Sequence, residues 1–272
     1  MQVQIAQGIA LDCERSGAGP PLLMIMGLAG TRHHWNEAFL AQLRGDFELI
    51  TFDHRGIARS SPAQEPFELA DLARDAAALL DALELDSAHV LGISMGSMVA
   101  QELALAHPEL VRTLTLGCTY CGGPHSVPTS REVLARLAAG MSSGDYEVAA
   151  RALWEVNVSA PVAADPEMWQ RFLAAGREHR VPREVIVLQW QAIARHDTSA
   201  RLGGLAAPPL AAPPLAIHGT ADQMVDVANG RQTASLIPGC RLELMEGVGH
   251  LFFWEEPPRA AELVREHALV RA

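Results

Sequence analysis

His89-Val90-Leu91-Gly92-Ile93-Ser94-Met95-Gly96-Ser97-Met98-Val99-Ala100 passes from a continuous apolar run into a helical pattern within a few residues. The run before Ser94 suits a buried strand, and the segment from Met95 to about Ala106 suits a helix stopped near His107-Pro108. Gly92-Ile93-Ser94-Met95-Gly96 therefore lies at a strand-to-helix junction. There a Gly-x-Ser-x-Gly turn holds the serine hydroxyl above the sheet and aims the first N–H groups of the helix at it. Ser94 is the expected nucleophile.

Outward from this junction the pattern repeats. Pro21 to Met26, Phe47 to Phe52, Thr113 to Leu116 and Leu215 to Ile217 are short apolar runs of the kind buried in parallel sheets. Between them Phe67 to Leu85 has apolar residues at helical spacing, with Asp71, Arg74, Asp75 and Asp81 on the other face. The alternation predicts an α/β fold: a mostly parallel central sheet with helices on both faces. Val3 to Ala6 and Ile9 to Glu14 read as an antiparallel hairpin, Arg241 to Glu246 as a last strand near the sheet edge, and Pro257 to Val270 as a closing helix. The alternation breaks after Gly117. From Arg131 to Arg201 there are helical stretches and no strand that fits, and the proline-rich Leu205 to Pro214 precedes the next strand. The expected organisation is a core of residues 1–125 and 206–272 with a helical insertion over 126–205.

The 272 residues are 49% hydrophobic and 19% charged, enough for a sizeable core, with a formal net charge of −11. Such a chain repels phosphate backbones and anionic lipid, which argues against nucleic acid or a membrane surface as partner. The acidity serves solubility, and a small apolar or neutral molecule is the expected substrate. The opening residues Met1-Gln2-Val3-Gln4-Ile5 have neither a basic nor an apolar region of the kind that starts a secretory signal, and the longest apolar run, Pro20 to Ala29, is too short to span a bilayer, so a cytoplasmic protein is expected. Monomer and homodimer remain open. Cys13, Cys118, Cys121 and Cys240 lack the spacing of a zinc or redox site and read as buried thiols. Neither a metal nor another cofactor is expected.

A serine hydroxyl needs a base, and the base needs an orienting carboxylate. After this kind of turn the chain order is serine, acid, histidine. Ile217-His218-Gly219-Thr220-Ala221-Asp222 and Gly247-Val248-Gly249-His250 each follow a strand, on the edge where Ser94 lies. Asp222 is the expected acid and His250 the expected base, with Asp226 the alternative acid. His218 precedes the acid and is expected to pack at the strand end. His33, His34, His54 and His196 read as solvated or core histidines. The backbone N–H groups of Met95 and of Leu28, in the loop after Met26-Gly27, are the expected oxyanion donors. Trp35, Trp154, Trp190 and Phe252 are candidate pocket residues.

These motifs, with Asp53-His54-Arg55-Gly56-Ile57-Ala58-Arg59-Ser60, resemble the α/β-hydrolase superfamily, in particular its esterase, enol-lactonase and cofactor-free haloperoxidase-like group. Only the insertion lacks recognisable motifs. Met26 stands where a histidine is often found, Ala58 where glycine is usual and Asp226 where proline is frequent. None of these departures removes a member of the serine, acid, histidine set. The resemblance implies that 126–205 is a cap over the site. A serine at the turn, where epoxide hydrolases and haloalkane dehalogenases of this fold carry aspartate, implies acyl transfer to water through an acyl-enzyme. The expected substrate is a small carboxylic ester, lactone or thioester. Carbon–carbon bond hydrolysis, a cofactor-free cyclase or lyase reaction, and a non-catalytic binding role on the same fold are the alternatives.

Overall fold

The computed structural model describes residues 1–5, 8–63, 65–177, 179–206 and 210–269. Eight strands form one sheet: β1 (Gln2–Gln4), β2 (Ala10–Gly17), β3 (Pro21–Ile25), β4 (Glu48–Phe52), β5 (Ala88–Ile93), β6 (Val111–Gly117), β7 (Leu215–Gly219) and β8 (Arg241–Met245). Their order across the sheet is β1-β2-β4-β3-β5-β6-β7-β8. β2 pairs antiparallel with both β1 and β4, and every later pairing is parallel. β1 and β2 form the expected hairpin, although Ala6 and Gln7 lie outside the described residues. β8 closes the opposite edge, as its alternating sequence predicts.

The continuous apolar runs are explained by burial on both faces. Successive side chains of a strand point to opposite sides. In β3, Leu23 and Ile25 enter one apolar cluster while Leu22 and Met24 enter the other. β5 repeats this, with Val90 on one side and Leu91 and Ile93 on the other. Helices α2 (Leu69–Ala82) and α3 (Met95–Ala106) cover the first face; α1 (Glu37–Leu43) and α11 (Pro257–Ala268) cover the second. Val270, the expected end of α11, lies outside the described residues.

α2 is shorter than its apolar spacing predicts. Glu68 caps it, with the Asp71 carboxylate accepting the Glu68 N–H at 2.7 Å, and Leu83 ends it ahead of Glu84 at φ 57°. Asp75, expected on the polar face, is buried and takes a bidentate bond from Arg55 at 2.6 and 2.7 Å. Helix periodicity alone cannot reveal a carboxylate whose partner arrives from another loop.

Between β6 and β7 the described residues contain helices and no strand: α4 (Arg131–Ser142), α5 (Tyr146–Asn157), α6 (Ala160–Ala163), α7 (Pro166–Arg177) and α8 (Arg183–Arg195). Within the proline-rich stretch, 207–209 lie outside the described residues. All four cysteines are free thiols; three are buried and Cys240 is half-buried. No described helix is long and apolar enough to cross a membrane.

Candidate active site

Ser94, Leu28, Asp222 and His250 follow the carboxyl ends of β5, β3, β7 and β8, so one edge of the sheet gathers them. Ser94 sits at φ 56°, ψ −124°, a conformation that costs a non-glycine residue about 1–3 kcal/mol and must be held by its surroundings. The glycines on either side allow that hold. A Cβ on Gly92 would lie 2.3 Å from the Gly96 carbonyl oxygen, and one on Gly96 would lie 2.0 Å from that of Ile25. Strand and helix thus meet closer than any side chain permits. The Ser94 N–H donates to Gly117 O at 2.8 Å, anchoring the turn to the neighbouring strand. Met95 opens α3, so its N–H is among those with no partner inside the helix.

The Asp222 side chain is fully buried. Its Oδ1 accepts the N–H groups of Met224 and Val225 at 2.8 and 2.9 Å. Its Oδ2 lies 2.6 Å from His250 Nδ1. Burial opposes its ionisation, but the charge of His250 and hydrogen bonds from His218 and His250 outweigh that and hold the carboxyl well below the usual range. Asp226 is placed differently. It caps α9 (Val227–Leu236), accepting the Ala228 N–H at 2.8 Å.

His250 is 4% exposed. Its loop is fixed from three sides. Gly249 N–H donates to Glu255 Oε1 at 2.8 Å, Ala221 N–H donates to Val248 O at 2.9 Å, and Leu251 N–H donates to Asn157 O, at the end of α5, at 2.8 Å. Glu255 also receives the Ser159 N–H at 3.0 Å, which ties the helical segment to the histidine loop.

His218 does more than pack at the end of its strand. Its Nε2 lies 2.8 Å from Val225 O and 3.2 Å from Asp222 Oδ2. Because Val225 O only accepts, Nε2 carries the hydrogen, which the Asp222 carboxylate can share. Two histidines therefore flank one carboxylate. A histidine ahead of the carboxylate in the chain gave little sign of this. The sequence signal was its position at a strand end, four residues before Asp222.

Cys118 brings a third group to Asp222 and His250. Its Sγ, the Asp222 carboxylate and a His250 ring nitrogen lie within 4.8 Å of one another, a spacing that could hold a metal ion. Burial, together with the Asp222 charge, pushes the thiol well above its ordinary range and keeps it S–H, whereas a metal binds the thiolate. The thiol instead donates to His250 O at 3.2 Å.

Ser94 and His250 line one cavity of about 60 Å³, with Met26 to Gly30, His34, Leu153, Asn157, Phe172, Met224 and Trp254 among its walls. A second cavity of about 400 Å³, walled largely by α4, α5, α7 and α8, shares Leu28, Ala29, His34, Leu153, Phe172 and Met224 with the first. Of the expected pocket residues, Trp190 lines the larger cavity. Trp35, Trp154 and Phe252 lie in the apolar cluster behind the walls. Trp254, in the short helix α10 (Phe252–Glu255), lines the smaller cavity, its Nε1–H donating to His34 O at 2.8 Å. His34, expected to be solvated or in the core, lines both cavities; burial lowers its pKa to about 4, so the wall it forms is uncharged. His54 and His196 are buried, and His33 stacks on His179 with ring centres 4.1 Å apart.

The loop after β3 has its own constraints. Gly30 N–H donates to Gly27 O at 3.2 Å, closing a turn, and Ala29 within it has φ 56°. Ala29 N–H donates to Oε1 of Gln189 on α8 at 2.9 Å. Gln189 is fully buried, and its Nε2 has no partner among the described residues. A buried donor left so costs about 1–3 kcal/mol.

Residues 20–257 match the alpha/beta hydrolase fold family, and the chain belongs to that family. It is a hydrolase, and esterases are among the proteins it is similar to. Rhodomycin D methylesterase DauP of Streptomyces sp. (strain C5) is 29% identical over 266 residues, covering 86% of this chain and 85% of that protein. Esterase RhEst1 from Rhodococcus sp. ECU1013 superposes with a TM-score of 0.83 at 25% identity, covering 100% and 99% of the two chains. A hydrolase from Pseudomonas aeruginosa PA01 gives a TM-score of 0.83 at 28% identity, covering 99% and 98%.

Proposed function

We propose that this protein is a serine esterase that cleaves a carboxylic ester through an acyl-enzyme on Ser94. The observation that carries the proposal is the 2.6 Å contact of His250 Nδ1 with Asp222 Oδ2, beside a cavity that both His250 and Ser94 line. Nδ1–H donates to the carboxylate, which fixes the tautomer and leaves Nε2 free to accept the Ser94 proton. As Oγ attacks the ester carbonyl, charge collects on the carbonyl oxygen. The N–H groups of Met95 and Leu28 receive it. His250 then protonates the departing alkoxide, and water repeats the sequence on the acyl-enzyme. A lactone or thioester can follow the same route.

The two cavities suggest an unsymmetrical substrate. About 60 Å³ beside Ser94 admits a group of one to a few heavy atoms, and about 400 Å³ beyond it falls within the usual range for ligand pockets. A bulky apolar portion in the larger cavity and a small group beside the serine fit these volumes. The similarity to a methylesterase supports a small alkoxy leaving group. In this reading the helices over 126–205 form a cap that selects the substrate. The test is hydrolysis of p-nitrophenyl and methyl esters of graded acyl size, with fluorophosphonate labelling located at Ser94. An unlabelled Ser94, or Ser94→Ala with undiminished turnover, refutes the proposal.

A further inference from the structure

The turn Gly27 to Gly30 presents the Leu28 N–H, and its geometry is unusual in one respect. Its third residue, Ala29, holds a positive φ of 56°. In a four-residue turn that conformation goes with one orientation of the central peptide, the one joining Leu28 to Ala29. Glycine adopts it freely, whereas alanine prefers the turn with the central peptide reversed. Something outside the turn must therefore hold that peptide. The one side-chain bond to its N–H among the described residues comes from Gln189, 160 residues away on α8, at 2.9 Å.

Because the Ala29 N–H is a donor, the glutamine atom facing it must be the oxygen. This orientation strands Nε2, which is buried without a partner among the described residues. An apolar side chain of the same length would fill the space without a stranded donor. The acceptor end is therefore what glutamine contributes at this position. Gln189 also belongs to a helix anchored to the core elsewhere: Arg195, six residues on, bonds Glu68 at 2.7 Å and Phe67 O at 2.9 Å.

We infer that Gln189 is a positioning residue for the oxyanion-stabilising loop, holding the Leu28–Ala29 peptide so that the adjoining Leu28 N–H points at the reacting carbonyl oxygen. The inference rests on the Ser94 esterase reading. It adds that the helical segment helps to organise the chemistry, and that the loop keeps its catalytic geometry only while α8 is seated.

The experiment compares the wild type with Gln189→Met, which keeps the length and loses the acceptor, and Gln189→Glu, which keeps an acceptor oxygen. kcat and KM are measured on a short p-nitrophenyl ester. Affinity is measured for a trifluoromethyl ketone, whose adduct with Ser94 carries an oxyanion, and for the unreactive alcohol of the same skeleton. Gln189→Met should lower kcat roughly 10–100-fold with KM changed by no more than about threefold. It should weaken the ketone by a similar factor, leave the alcohol unaffected, and keep the wild-type Tm within a few degrees. Gln189→Glu should recover most of the kcat. If Gln189→Met keeps kcat within about twofold, the inference is overturned. It is likewise overturned if ketone and alcohol weaken together, or if Gln189→Glu is as impaired as Gln189→Met. Ser94→Ala, run alongside, separates the two levels: its full activity would refute the esterase reading, whereas an inactive Ser94→Ala beside a normal Gln189→Met would refute this inference alone.

Discussion

The sheet-edge loops and the helical segment between β6 and β7 use their residues in opposite ways. At the sheet edge, Ser94, Asp222 and His250 sit in tight turns whose backbones touch. Gly219, for example, leaves no room for a Cβ, which would lie 2.2 Å from Gly249 O. In the helical segment, apolar faces surround about 400 Å³ of space. Close contact fixes direction and empty volume accommodates shape. Under the proposed function the first region sets how fast an ester reacts and the second sets which ester enters.

That division breaks most visibly if the first region can be altered without loss of rate. Ser94→Ala should lower kcat by about 10⁴–10⁶-fold on every ester and abolish fluorophosphonate labelling. Its folding should be unchanged in circular dichroism, because alanine fits the same buried turn. Asp222→Asn should cost about 10³–10⁴-fold in kcat, again on all esters alike, because an amide beside His250 Nδ1 no longer specifies the productive tautomer. A loss that depended on the ester's size in either variant would show that the division is wrong.

Acid tests the core by a different route. Burial lowers the pKa of His34, His89, His196 and His267 to about 4. Each binds a proton more readily when unfolded, so the stability it contributes is present above about pH 6.5 and is lost as pH falls toward 4. Asp53 acts in the other direction. Burial raises its carboxyl to about 6, so between about pH 4 and 6 the folded state holds the extra proton and gains from acid. Four histidines outweigh one aspartate, and moving from pH 6.5 to 5.5 should cost roughly 3 kcal/mol of stability. Thermal melts across this range should show Tm falling with pH. A flat or rising Tm would mean that these histidines are not buried as neutral groups.

Legibility followed the same line between the regions. The sheet and its flanking helices could be read because strands buried on both faces are continuously apolar, and the turns between them need glycine or a capping residue. Ser94, Asp222 and His250 could be read because each follows such a strand within a few residues. Gln189 could not: its partner Ala29 is 160 residues away, and a single glutamine on an amphipathic helix carries no pattern. The lining of the larger cavity was hidden for a related reason. An apolar helix face looks the same whether it meets a neighbour or a void, so Trp154 and Trp190 were indistinguishable until the packing placed one behind the wall and the other on it.

The smallest expected effect probes that void directly. Ala149 and Trp190 line the larger cavity, and Ser94 lines only the smaller one. Ala149→Phe adds a ring to the space, and Trp190→Ala removes one. Pocket changes of this size shift discrimination by about 1–3 kcal/mol. Ala149→Phe should therefore lower kcat/KM for methyl octanoate about tenfold while leaving methyl acetate within about twofold. Trp190→Ala should move the preference toward longer or ring-bearing acyl groups. Parallel assays on the two esters measure this. If Ala149→Phe slows acetate and octanoate equally, the bulky portion of the substrate does not occupy this cavity.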